Sequence, residues 1–217
     1  MEKPITSQGN PPNKVNIYET LFVFMDDVLF NFKPTIINNG ENKITQDLVI
    51  SLNEESHVSD TSFAFLNQYE EGNVVTDIGV YLKSSRNFFC WIEAKRLPTP
   101  NGKDRDEREY VIVSQEKIDG KKKFKGNGGI QRFKEGKHAP VLDYSIMIGY
   151  IQDDNNVSYW FSKINTWITE LTKANNGFWN NEDCLNIYVS NKCDRFLSIH
   201  KRKDATTITL HHYWIKL

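Results

Sequence analysis

Thr76 to Leu82 and Phe88 to Lys95 are two apolar-rich runs separated by the polar segment Lys83-Ser84-Ser85-Arg86-Asn87, the signature of an antiparallel hairpin. A turn centred on Ser85 pairs Leu82 with Phe88, Val80 with Cys90 and Ile78 with Ile92, and sets Asp77 opposite Glu93. Side chains alternate faces along a strand. The even positions Ile78, Val80, Leu82, Phe88, Cys90, Ile92 and Ala94 therefore form one uninterrupted apolar face. The odd face gathers Asp77, Glu93 and Lys95.

Directly opposed strand residues hold their Cβ atoms about 4.5–5.5 Å apart, and two carboxylates that close repel unless a positive charge lies between them. A divalent cation or the Lys95 ammonium supplies it. Two carboxylates completed by waters and a phosphate oxygen suit Mg²⁺, or Mn²⁺ in its place, with Asp77 and Glu93 as the metal ligands. Such a grouping meets the needs of phosphodiester hydrolysis: charge stabilisation at the phosphoryl oxygens and a lysine that positions or deprotonates the attacking water. The plainer reading is an Asp–Lys–Glu cluster making ordinary surface ion pairs. An acid two residues before a lysine also occurs at Glu41-Asn42-Lys43, Asp119-Gly120-Lys121 and Glu135-Gly136-Lys137. Only the copy at 93–95 lies in an apolar strand with a partner carboxylate.

Through Asp77 and Glu93-Ala94-Lys95 the sequence resembles the PD-(D/E)XK nuclease superfamily, over roughly residues 41–151. The resemblance implies an α/β restriction-endonuclease-like fold. Its mixed central β-sheet is flanked by helices in an α-β-β-β-α-β core, here with an additional C-terminal helix and strands. It implies a further acid from an early helix, for which Glu41 is best placed, and a polar side chain from the helix after the E-x-K strand, for which Gln131 fits the order. Thr76 stands where the name-giving proline would be, and Glu135 rather than a tyrosine follows Gln131 by four residues, so the Q-x-x-x-Y exonuclease branch has no support. Ser198-x-His200-x-Arg202 and His212-x-Trp214-Ile215 are similar to segments of bacterial members with a defence-related character. The expectation is a metal-dependent nuclease acting on nucleic acid, most readily DNA, with Asp77, Glu93, Lys95, Gln131 and Glu41 at its centre. The alternatives are a nuclease-like module that binds without cutting, and a subunit of a homodimer or larger assembly.

The charge distribution agrees with a polyanionic partner. Of 27 Lys+Arg and 28 Asp+Glu residues, segment 1–94 holds 6 basic against 13 acidic, segment 95–137 holds 13 against 7, and segment 138–217 is balanced at 8 each. Lys121, Lys122, Lys123, Lys125, Arg132 and Lys134 carry much of the central excess and are the expected phosphate-backbone contacts. A solvated polar loop accounts for the same charges.

The 39% hydrophobic and 25% charged content excludes disordered and collagen-like classes. The apolar stretch 17–32 is interrupted by Glu19, Asp26 and Asp27 and is too short to span a bilayer, so no membrane association is expected. No secretory signal is visible. Three cysteines without a C-x-x-C pair give neither a disulfide framework nor structural zinc, and a cytoplasmic location follows as the expectation.

Residues 1–14 read as a flexible tail and 15–217 as one nuclease-like domain. Helices are expected over 15–32, from an N-cap at Thr45, over 130–134 and over 158–174, with strands over 62–97, 141–151, 185–190, 196–201 and 206–215. Segment 98–129 reads as a long polar connection or lid. Glu70 and Glu71 read as solvated loop carboxylates, and His200, His211 and His212 as structural histidines, the last two pointing to opposite faces. Gly126-Asn127-Gly128-Gly129 matches neither phosphate-binding glycine motif.

Overall fold

The computed structural model describes residues 14–35, 40–72, 74–100, 106–112, 115–118, 121–124, 128–174 and 177–217. Helices α1 (Lys14–Asn31) and α2 (Glu41–Val58) precede strands β1 (Phe63–Glu71), β2 (Val74–Leu82) and β3 (Phe88–Leu97). A small hairpin of β4 (Gln115–Ile118) and β5 (Lys121–Phe124) leads to helix α3 (Gly129–Lys134) and strand β6 (Tyr144–Ile151). Helix α4 (Val157–Lys173), a single 3-10 turn at Asn181–Asp183, and strands β7 (Asn186–Tyr188), β8 (Asp194–Lys201) and β9 (Thr207–Lys216) complete the chain. The first 13 residues of the expected tail lie outside the described residues, and its last, Lys14, begins α1.

The strands form a seven-stranded mixed sheet in the order β1-β2-β3-β6-β9-β8-β7. The two central pairings, β3 with β6 and β6 with β9, are parallel and the outer four are antiparallel. The chain is thus an α/β protein whose sheet is covered by helices on both faces. On one face Leu21, Met25, Ile44, Leu48 and Leu52 from α1 and α2 share a core with Ile78, Val80, Cys90, Ile92 and Ala94. On the other, Ile130 and Phe133 of α3 and Ile164 and Ile168 of α4 share a core with Trp91, Met147 and Trp214. Helix α4 forms where apolar residues recur at helical spacing. Its start is fixed by Asn156, whose side chain accepts a hydrogen bond from the Tyr159 N–H at 2.8 Å.

Three local expectations are corrected. The hairpin register holds at Ile78–Ile92 and Val80–Cys90, but a bulge between Val80 and Tyr81 sets Tyr81, not Leu82, opposite Phe88. One extra residue turns the strand over. Phe89 therefore packs against the α1–α2 core, while Phe88 stacks on Tyr69 on the opposite face, with ring centroids 3.7 Å apart. Helix α2 begins at Glu41, and its cap, an extended Gly40, lies five residues before the cap expected at Thr45. Thr45 is instead a buried mid-helix residue whose hydroxyl meets the Tyr150 hydroxyl at 3.2 Å.

The segment read as a polar connection also carries structure. Tyr110, Val111 and Ile112 are buried in the second core. The carbonyls of Glu109, Tyr110 and Val111 accept the N–H groups of Gly129, Ile130 and Gln131 at 2.9–3.1 Å, satisfying donors that a helix start leaves without intrahelical partners. At this close approach Gly129 has no room for a side chain: a Cβ would lie 2.5 Å from the Tyr110 oxygen and 2.4 Å from the Met147 methyl. Gly129→Ala is expected to cost about 1–3 kcal/mol through overpacking. Thermal unfolding checks it, since a chain of this size should then lose several degrees of Tm. An unchanged Tm would contradict the packing described.

Candidate metal-dependent active site

The carboxylates expected to meet across the hairpin are brought together where β2 and β3 part. Their ladder pairing ends at Ile78–Ile92, and side chains take over from backbone beyond it. The Thr76 hydroxyl donates to the Ile92 carbonyl at 2.9 Å, and Asp77 Oδ2 accepts the Ala94 N–H at 2.7 Å. Glu41, from the first turn of α2, continues the same edge by accepting the Arg96 N–H at Oε2, 3.0 Å away. Two acidic side chains thus replace a neighbouring strand along the open end of β3.

Glu93 and Lys95 point to the face covered by α3. Glu93 is only 2% exposed, and its Oε1 lies 2.8 Å from Lys95 Nζ and 3.2 Å from Arg132 Nη1. Lys95 Nζ also donates to the Ala94 carbonyl at 2.7 Å and lies 3.5 Å from Glu41 Oε1. A buried carboxylate costs several kcal/mol unless it is paired. Burial alone would raise the Glu93 pKa, yet Lys95, with Arg132 beside it, holds it below the ordinary value. Lys95 remains a cation: burial disfavours its charge, but Glu93, Glu41 and Asp77 outweigh that and push its pKa up. Asp77 differs. Burial, reinforced by the neighbouring Glu93 charge, pushes it up to about 7 against the opposing pull of Lys95 and the Ala94 N–H.

Arg132, expected on the phosphate backbone, belongs to this centre. Its Nη1 also lies 3.3 Å from His138 Nε2. A guanidinium only donates, so Nε2 accepts and the ring proton resides on Nδ1, which faces Glu93 Oε2 at 3.5 Å. Burial lowers the His138 pKa to about 4, which keeps the ring neutral near neutral pH. Gln131 is not brought to the site. Its amide donates to Glu135 Oε1 at 3.0 Å, because α3 turns the neighbouring Arg132 towards Glu93.

Lys134 is also corrected. It is fully enclosed, paired with Asp183 Oδ1 at 2.7 Å, so its charge is not presented to a nucleic acid. Asp183 belongs to a chain of buried groups whose direction is set by its acceptor-only end, the Asp183 carboxylate. Trp214 Nε1 donates to the Tyr110 hydroxyl at 2.9 Å, and that hydroxyl to His212 Nδ1 at 2.8 Å. His212 Nε2 then donates to Ser198 at 2.7 Å, Ser198 to His200 Nε2 at 2.6 Å, and His200 Nδ1 to Asp183 Oδ1 at 2.8 Å. Burial lowers the pKa of both histidines, as the chain requires. His211 points to the opposite face, where its ring stacks on Phe22 at 3.5 Å.

Other basic residues of the central segment are paired: Arg108 with Asp106 at 3.0 Å and Lys137 with Glu135 at 2.6 Å. The side chains of Lys121, Lys122 and Lys123, and Lys125 altogether, lie outside the described residues.

The site offers hard oxygen donors, namely the Asp77 and Glu93 carboxylates beside the Ala94 carbonyl, with no thiolate or imidazole among them. That donor set fits Mg²⁺ or Mn²⁺, which are held by one or two carboxylates plus water and substrate oxygens. Among the described residues no group of three or more His, Cys, Asp and Glu side chains is placed to hold a metal ion, so waters and substrate would complete the shell. No helix among the described residues is long and apolar enough to cross a membrane. No family model, curated protein or solved structure matches the chain.

The Asp77 environment makes metal-free stability depend on pH. A carboxyl whose folded pKa lies near 7 rather than 3.8 favours the fold while protonated. That contribution is full below about pH 4 and is lost as pH rises through 7. Asp77→Asn imitates the protonated form. In EDTA at pH 8 the variant is expected to be more stable than the unsubstituted protein by about 2–4 kcal/mol, and nearly equal at pH 4. Mg²⁺ at pH 8 should raise the Tm of the unsubstituted protein but not of the variant. Equal unfolding curves at pH 8 would contradict this placement of Asp77.

Proposed function

We propose that this protein is a divalent-metal-dependent nuclease of restriction-endonuclease-like organisation that hydrolyses phosphodiester bonds in DNA. One observation carries the reading: Asp77 and Glu41 bind the open edge of β3 at Ala94 and Arg96, where β2 leaves it, and Glu93 and Lys95 pair from the same stretch of the strand. Fold-level likeness alone does not establish an activity. The element order α2-β1-β2-β3-α3-β6, once the separate β4–β5 hairpin inserted before α3 is set aside, supports the reading in that it matches the core implied by the sequence resemblance.

Asp77 and Glu93 would hold the metal, with the Ala94 carbonyl beside them. When bound, the cation supplies positive charge at the phosphoryl oxygens. Asp77 is fixed for this by the Ala94 N–H, and Glu41 holds the adjoining Arg96 N–H, so the strand edge keeps its shape without a neighbouring strand. Lys95 keeps its proton among three carboxylates. It therefore acts as a hydrogen-bond donor that positions the attacking water and stabilises developing negative charge, rather than as the base. Arg132 shares Glu93 Oε1 with Lys95, and the rest of its guanidinium fork would offer a phosphate oxygen charge-assisted hydrogen bonds.

The test is incubation of the purified protein with supercoiled plasmid, linear duplex, single-stranded DNA and RNA in Mg²⁺, Mn²⁺ or EDTA. Metal-dependent cutting is expected. Retained DNA binding without cutting in either metal would assign the protein to the binding class instead.

A further inference from the structure

On the same sheet face as the carboxylates, a cavity of about 360 Å³ opens between the β2–β3 turn and the loop that follows α3. This volume falls in the range of small-ligand sites. Tyr69, Phe88 and Trp91 form its aromatic wall, Arg86, Asn87 and Glu71 its polar rim, and Pro140 its opposite side. We propose that this cavity receives an unpaired nucleobase of the substrate, so that the nuclease acts on single-stranded nucleic acid; the proposal rests on the nuclease reading above.

Four features argue for a base. The first is position: Trp91 and Glu93 are two residues apart on β3, about 6.7 Å along one face, so a strand with its phosphate at Glu93 brings a neighbouring base to the cavity that the buried Trp91 backs, where the half-buried Tyr69 and Phe88 present the accessible rings. The second is continuity, because one short loop joins the two places. His138 faces Glu93 Oε2 and lies edge-on to Trp91 with ring centroids 5.9 Å apart, and the cavity wall follows directly at Ala139 and Pro140.

The third is shape. The Phe88–Tyr69 stack lies over Gly79, where a Cβ would come within 2.6 Å of the Phe88 ring and 2.7 Å of Tyr69. The bulge that turned Phe88 away from the helical core is what supplies this ring. The fourth is chemistry. Aromatic faces bind any base through stacking, and Asn87 adds donor and acceptor capacity for a base edge. Arg86 stands over Tyr81 with its guanidinium carbon 5.2 Å from the ring centroid, extending the cationic and aromatic surface beyond the rim. Within a duplex a base presents only its edges in the grooves, so a cavity walled by rings suits a base outside the stack.

The experiment uses Glu93→Gln protein, so that binding is read without cutting. Fluorescence anisotropy is measured in Mg²⁺ with a labelled oligo-dT strand, an abasic strand of equal length and charge, and a duplex. Oligo-dT should bind at least tenfold tighter than either competitor. Phe88→Ala should erase that preference, whereas Phe88→Tyr, which retains the ring and its packing, should preserve it. Equal affinity for oligo-dT and the abasic strand, a preference for duplex, or an unchanged preference in Phe88→Ala would each overturn the proposal. Cleavage by the unsubstituted protein is followed separately. Metal-dependent cutting with no base preference removes the base pocket and leaves the nuclease, whereas base preference without cutting in any metal removes the nuclease reading on which the proposal rests.

Discussion

Lys95→Met is expected to lower metal-dependent cleavage by about 10²–10⁴-fold while leaving the fold intact, and Glu93→Gln by at least as much. The two losses should differ in kind. Lys95 is not among the expected metal ligands, so Lys95→Met should still bind Mn²⁺ and should lose kcat with little change in KM. Methionine also preserves the buried stem of the side chain, and Glu93 keeps Arg132 at 3.2 Å. Glu93→Gln removes a ligand charge and should weaken Mn²⁺ binding itself. Circular dichroism and Mn²⁺ titration alongside the kinetics separate the two cases. A Lys95→Met protein that cuts at the unsubstituted rate would remove lysine from the chemistry.

The largest expected effect on stability lies away from this site, at Asp183. This carboxylate is fully buried and accepts from both Lys134 and His200. Burial alone would raise its pKa, but His200 and Lys134 hold it below the ordinary value. Asp183→Ala strands the Lys134 ammonium in the protein interior between Phe178 and Trp179, whose ring centroids lie 5.1 and 5.3 Å away. Breaking a buried pair in this way costs about 3–5 kcal/mol, which for a chain of this length lowers Tm by roughly 6–20 °C. Replacing Lys134 as well, as in Lys134→Met with Asp183→Leu, should recover only part of that loss, because the His200 Nδ1–H and the Asn180 N–H still lack the carboxylate that accepted them. Thermal unfolding of the three proteins checks it. A single variant as stable as the unsubstituted protein would show that the buried chain of groups does not tie α3 to β8.

The legible part of the fold was that carried by periodicity. Apolar spacing located α1 and α4 to within a residue or two, alternation located β2 and β3, and apolar or strand-like runs located β6, β8 and β9. The bulge escaped because Phe88 and Phe89 are both large and apolar: either can fill the core, so alternation cannot reveal the slip. Asp77, Glu93, Lys95 and Glu41 were legible because each is a charged residue in or beside an otherwise apolar element. That α3 turns Arg132 rather than Gln131 towards Glu93 is not legible in the sequence, because a six-residue helix is too short to fix its own phase. His138 lies in the turns after α3 and gave no sequence signal, and the burial of Lys134 depends on Asp183, 49 residues away. Contacts of that kind are set by tertiary packing rather than by local pattern.

The most direct test of the central claim is the cleavage rate of an end-labelled DNA strand as a function of Mg²⁺ concentration, for the unsubstituted protein and Glu93→Gln. The Asp77–Glu93–Lys95 centre predicts a rate that saturates with Mg²⁺, vanishes in EDTA, and falls by at least about 10²-fold in Glu93→Gln at every concentration. Cleavage that persists in EDTA, or a folded Glu93→Gln protein with full activity, would contradict it.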